Sequence, residues 1–249
     1  MFRKWCATAL VVSVVVASAP ARAQSGLGIT GMELSFGHVS GDASTTRAAA
    51  RLDVAVTGAH GLQLDLSLSD TDGRTLGTAA AHLYMTPQPG QKYGLFATLT
   101  DQDGHDFTFA ALGVEGRVAL SDRLTVEGHA GLGYALGGDL DAIFAGAAAR
   151  LRATDRIALR AALDIAEYDE ASLSAMGYTA TLAAEVRLSS RIDLVAGLEA
   201  TGRTGRDDLS ADPAAFVGVT VRFGGATDPV RDMFRTPDPL RPLWDRPLR

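Results

Sequence analysis

Two patterns in this sequence place side chains where they could do chemistry. His38-Val39-Ser40 sets an imidazole and a hydroxyl two residues apart, so on an extended chain both project from one face. A base within reach of a serine hydroxyl is the minimum for nucleophilic catalysis, and a third group must then orient the imidazole. Asp70-Thr71-Asp72-Gly73 and Asp101-Gln102-Asp103-Gly104 begin as calcium loops do, but neither has the closing Glu at the twelfth position. Asp-Gly is equally the mark of a tight turn, and that is the reading the sequence favours. His60, His82, His105 and His129 are dispersed without ligand spacing, so neither a metal nor a cofactor is expected. There is no glycine-rich phosphate loop and no nucleophile elbow.

A larger set of charges emerges once the elements carrying them are read. In Leu62-Gln63-Leu64-Asp65-Leu66-Ser67-Leu68 every even residue is Leu and every odd one polar. Residues 192–200 and 215–223 alternate in the same way, which is the signature of strands with differently solvated faces. A helix would need apolar residues at spacings of three and four, and it would not tolerate this density of glycine. Twelve such segments are expected, at about 30–38, 47–57, 61–69, 76–85, 92–100, 107–120, 124–135, 142–153, 157–166, 175–188, 192–201 and 214–223. Most approach the roughly 9 to 11 residues with which a tilted strand crosses a hydrocarbon layer. The expected fold is all-β: a transmembrane, antiparallel, up-and-down β-barrel of about twelve strands.

With the Leu/Val/Ala parity facing lipid, the opposite parity supplies a charged lumen belt. It holds Arg51, Arg117, Arg150, Arg152, Arg160, Arg187 and Arg222 with Glu33, Asp53, Glu115, Glu127, Glu185 and Asp193, and His129 shares the face. All are expected in the periplasmic half. The outer half offers Gly131, Gly133, Gly146, Ala148, Ala162, Gly177, Thr179 and Gly197, which reads as a wider vestibule. Such a belt is either a constriction that weakly favours anionic solutes or a salt-bridged network that fills a narrow lumen. Phe36, Tyr93, Phe107, Phe109, Tyr134, Tyr178 and Phe223 are expected outside, as interfacial girdles.

Connections are expected to alternate in length, with tight turns such as Ser121-Asp122-Arg123 on one side and longer polar loops on the other. Residues 1–23 read as a secretory signal: Arg3 and Lys4, an apolar run from Ala7 to Ala19, and Ala21-Arg22-Ala23 as the cleavage site. Loss of that segment takes three positive charges from a chain whose formal net charge is already −6, which argues against nucleic acid as a partner. Cys6 is the only cysteine and precedes the apolar run, so the exported part has no thiol chemistry. The barrel is expected over residues 24–224. Residues 225–249, with five prolines and alternating Asp and Arg, read as a Pro-rich periplasmic tail, either an extended appendage or a docking segment for a periplasmic partner or the barrel mouth.

The signal segment, the alternating strands, the S-D-R-L and T-D-R-I turns and a last strand ending Val-Thr-Val-Arg-Phe223 resemble the bacterial outer-membrane β-barrel, or porin-like, superfamily. The resemblance implies outer-membrane lipid and lipopolysaccharide as surroundings. It also implies recognition by the barrel-assembly machinery through Val217, Val219, Val221 and Phe223. It departs from the family in that a tail follows the terminal aromatic. The expected function is a passive porin-like channel for small solutes, not an enzyme; the alternative is a structural or interaction barrel with a closed lumen. His38 and Ser40 resemble the His-x-Ser pair of outer-membrane lipid hydrolases, a distant alternative. The phospholipase of that group orients its imidazole with Asn, which this chain lacks entirely.

Overall fold

A computed structural model describes residues 28–41, 44–136, 138–170, 173–224 and 233–244. Twelve strands follow one another: β1 (Gly28–Ser40), β2 (Thr45–Ala55), β3 (His60–Thr71), β4 (Arg74–Met85), β5 (Gln91–Gln102), β6 (Thr108–Ala119), β7 (Leu124–Leu136), β8 (Asp141–Arg152), β9 (Ile157–Glu170), β10 (Leu173–Arg187), β11 (Ile192–Gly205) and β12 (Leu209–Gly224). Each is antiparallel to its neighbours, and β12 returns to β1 with Met32 opposite Phe223 and Ser40 opposite Ala215, so the barrel closes without a free edge. All twelve expected segments are strands.

The burial is inside out relative to a soluble protein. On β3, Leu66 is 64% exposed while its neighbour Asp65 is 3% exposed. The same inversion runs round the barrel through Leu95, Leu112, Leu132, Ile143, Leu163, Leu182 and Leu198, all exposed. A continuous apolar skin over paired backbone is the arrangement that hydrocarbon permits and water penalises.

Three expectations about the ends of the strands are corrected. The connections do not alternate in length: the strands leave only two to five residues between them at both ends. Much of the polar sequence expected in long outer loops extends the strands instead, as at Asp70-Thr71 and Arg74-Thr75. Asp72 and Gly73, at φ 49° and 81°, form the whole turn between β3 and β4. Phe107 and Phe109 face the lumen, both 1% exposed, on the same parity as Glu115 and Arg117; Phe36, Tyr93, Tyr134, Tyr178 and Phe223 keep the outward parity.

In the half of the lumen expected on the outer side, the part bounded by β5 to β9 is filled, not open. Gly133 lies directly beneath the Phe109 ring, where an added Cβ would come within 2.6 Å of ring carbon Cε1. The small residues there are seats for inward rings: Phe96 and Phe144 stand 6.1 Å apart, centroid to centroid, above Gly131.

The largest correction concerns the tail. Residues 233–244 lie inside the barrel, with Phe234, Leu240 and Leu243 at most 1% exposed. Eight strands make a barrel that wall side chains can fill, and sixteen or more leave an aqueous channel. At twelve, the lumen has room for one additional extended chain. Residues 1–27, which include the expected signal, and 225–232 and 245–249 are outside the described residues.

Candidate functional site

The lumen wall is a lattice of paired charges. Glu33 on β1 accepts from Arg51 on β2 at 2.9 Å and from Arg222 on β12 at 3.1 Å, which spans the seam where the sheet closes. Arg222 also bonds Asp193, and Asp193 lies 3.6 Å from Arg187. Arg117 bonds Glu127 at 2.9 Å through Nε, and Arg150 reaches over β9 to Glu185 at 2.7 Å. Arg152 sits at the rim, where it donates to the carbonyl of Asp122. Arg160 is cross-strand from Arg150, and its Nε, buried, has no hydrogen-bond partner among the described residues.

The expected belt left out several members of this wall. His82 on β4 is fully buried, with Nδ1 2.9 Å from Glu115 and Nε2 3.3 Å from Asp65. Tyr84 donates to Asp53 at 2.6 Å, and Lys92 Nζ stands 3.8 Å above the Tyr84 ring. Gln63, Asp65, Asp164, Glu199 and Arg203 also point inward, on the parity that each strand's pattern already marked.

Most of these additional residues hold the C-terminal segment. Gln63 accepts the Phe234 N–H at 2.7 Å and donates to the Phe234 carbonyl at 2.9 Å, as a neighbouring strand would. The Phe234 ring stacks on His82 at 6.0 Å and lies edge-on to Tyr84, with Lys92 Nζ 4.4 Å above it. The Arg235 N–H donates to Glu127 at 3.1 Å, and its guanidinium meets both oxygens of Asp164 at 3.1 and 3.2 Å. Thr236 bonds Asp65 at 2.5 Å, and Tyr168 donates to the Pro239 carbonyl.

Farther along, Arg241 donates to Glu199 at 2.6 and 2.8 Å, and Arg47 approaches the same carboxylate at 3.2 Å. Both guanidiniums flank the Trp244 ring, at 4.4 and 5.3 Å. Arg203 donates to the Pro242 carbonyl at 2.7 Å, and a short 3₁₀ turn at Arg241–Leu243 sets Leu240, Leu243 and Trp244 into an apolar cluster with Phe107, Phe109, Leu140 and Leu173. Proline suits such a segment because it brings no N–H that a buried site must satisfy.

The segment therefore runs the length of the lumen. Phe234 lies at the level of Gln63 and Tyr84, toward the end that carries Gly28 and Gly224, and Trp244 lies among residues of the opposite end. It hugs one side. Between it and the β1–β3 and β12 wall remains a cavity of about 370 Å³, bordered by Glu33, Arg51, Asp65, Arg222 and Thr236. A second cavity of about 170 Å³ lies between Arg160, Thr181, Glu199 and Arg241.

The residues first considered for catalysis lie elsewhere. His38 is outside on β1, exposed, with Nδ1 3.3 Å from Thr46 Oγ1 across the strand pair and not engaged with Ser40. Asp70 accepts from Thr75 at 3.0 Å and Asp101 from Thr108 at 2.8 Å, both as hairpin supports. Among the described residues no group of three or more His, Cys, Asp or Glu could hold a metal ion.

No protein-family model matches the chain, and no curated protein matches it in sequence. Solved structures do. The KdgM porin superposes with a TM-score of 0.60 at 10% identity, over 77% of this chain and 99% of that one. The NanC porin gives 0.58 at 10% identity over 76% and 98%, and an outer membrane channel from Pseudomonas putida F1 gives 0.57 at 12% identity over 79% and 96%. At such low identity the likeness is one of fold: the chain is a twelve-stranded barrel of the kind seen in outer-membrane channels.

Proposed function

We propose that the protein is a porin-like channel of the outer membrane that passes small solutes along the side of the lumen its C-terminal segment leaves open. The observation that carries this reading is the cavity of about 370 Å³ inside a closed, lipid-facing barrel, bordered by charges already paired to one another. Paired charges hold no counter-ion of their own, so they present polar walls to a passing solute without trapping it. Supporting features are the apolar skin, which fits outer-membrane lipid, and the outward row Val217, Val219, Val221 and Phe223 beside the closing seam, which we read as the signal for barrel assembly. Planar-bilayer recordings of the refolded exported chain test the reading: discrete conductance steps are expected, and their absence above background removes it.

A structural barrel with a closed lumen is the second reading, favoured by the segment that threads the interior. It predicts no conductance under any condition that leaves the barrel folded. Lipid hydrolysis through His38 and Ser40 has weaker support, since His38 bonds Thr46.

A further inference from the structure

We propose that the lumen is a peptide-binding site whose ligand is the chain's own residues 233–244, and that this segment acts as a plug that narrows the channel; the second half rests on the channel reading above. The ligand class is a proline-containing peptide with an aromatic anchor near each end, Phe234 and Trp244, and two spaced arginines. Three kinds of contact define it. Gln63 reads backbone, through both polar groups of Phe234. Asp164 and Glu199 read the two arginines, six residues apart along the segment. Gly177 reads shape: a Cβ there would lie 2.6 Å from Pro242 Cβ, so the wall is recessed where the segment presses against it.

These contacts come from two separate parts of the wall, β3 on one side and the adjacent β9, β10 and β11 on another, and all converge on one segment. The wall does not need the segment for closure, because β12 pairs with β1 over ten residue pairs that precede it. Polar lumen groups that face water in an empty barrel are the same ones that dock the segment, so docking exchanges hydration for paired contacts. Beside this exchange, Leu240, Leu243 and Trp244 dock by apolar burial against Phe107, Phe109 and Leu173.

The test uses the full chain. Arg235→Asp places a carboxylate against Asp164 and Glu127, and it leaves the strand pairing untouched. Chymotrypsin cleavage after Phe234, followed by mass spectrometry, reports whether the segment is docked. Wild-type protein is expected to be protected, and the variant cut at least about thirtyfold faster, the change expected from breaking one buried charge pair. The variant's conductance step is expected to be larger than wild type. A synthetic peptide spanning residues 233–244, added to the variant, is expected to bind, measured by anisotropy of a labelled copy, and to lower the conductance.

Gly177→Ala, which pushes on Pro242 and on the Tyr168 ring that bonds the Pro239 carbonyl, is the second variant should Arg235→Asp fail to fold, and the same faster cleavage is expected. Equal cleavage of wild type and variants, or a peptide that does not bind, overturns the proposal. Protection and peptide binding as expected with no conductance from either chain would support the peptide site and remove the channel reading, so the two failures are distinguishable.

Discussion

Gln63 closes two hydrogen bonds on the backbone of Phe234, a residue 171 positions away, and thereby treats it as the next strand of a sheet. Gln63 also donates to Asp65, so its amide orientation is fixed before the segment arrives. Replacing it by Leu leaves a buried N–H and a buried carbonyl unpaired, at a cost of about 1 to 3 kcal/mol for each. Hydrogen exchange at the Phe234 amide is expected to accelerate by more than tenfold, with exchange in β3 and β4 unchanged. Unaltered exchange at Phe234 would show that the pairing contributes nothing to docking.

Trp244 offers an optical reporter. The sequence has only one other tryptophan, Trp5, which the expected signal cleavage removes. Glu199→Gln weakens the carboxylate that Arg47 and Arg241 share, and both guanidiniums flank the Trp244 ring. The expected outcome is a red-shifted emission and stronger quenching by acrylamide. An emission maximum that stays in place would mean that Trp244 is held by its apolar neighbours alone.

Glu33 balances two arginines at the closing seam, beside the larger cavity. Glu33→Gln leaves Arg51 with Asp65 at 3.7 Å and Arg222 with Asp193, so the cavity wall gains one positive charge. In a salt gradient across a bilayer, the reversal potential is expected to move toward anion selectivity. A shift toward cations would contradict the placement of Glu33 on the conducting side.

The lipid-facing rows can be tested by depth. Leu66 is in the middle of β3 and exposed, while Ser67 faces the lumen. Leu66→Arg is expected to destabilise the barrel by about 2 to 4 kcal/mol in lipid vesicles, as for other charges on a barrel's outer face near the midplane. Ser67→Arg should cost far less in the same denaturant titration. Equal costs would place both faces in water.

The barrel itself was legible because its outside is chemically uniform. A wall that meets only hydrocarbon must repeat Leu, Val or Ala at every second position, so the pattern survives in each strand separately. Parity also carried Gln63, Asp65 and Glu199, but which inward groups matter depends on what they face across the lumen, and no local pattern encodes that. Phe107 and Phe109 shared the parity of Glu115, yet a girdle expectation set them outside; ring type competed with position, and position won. The tail misled for a related reason. Its placement rests on single pairings such as Arg235 with Asp164, and isolated pairs between distant residues leave no periodicity in a sequence.

The attachment of the segment to β12 has a consequence for how it could ever be displaced. A free peptide competes at its bulk concentration, whereas a tethered one acts at an effective concentration in the millimolar range for short linkers. Diluting the protein will not empty the lumen, and an external competitor must overcome that local excess. Occupancy is therefore a property of each molecule, indifferent to how many copies surround it.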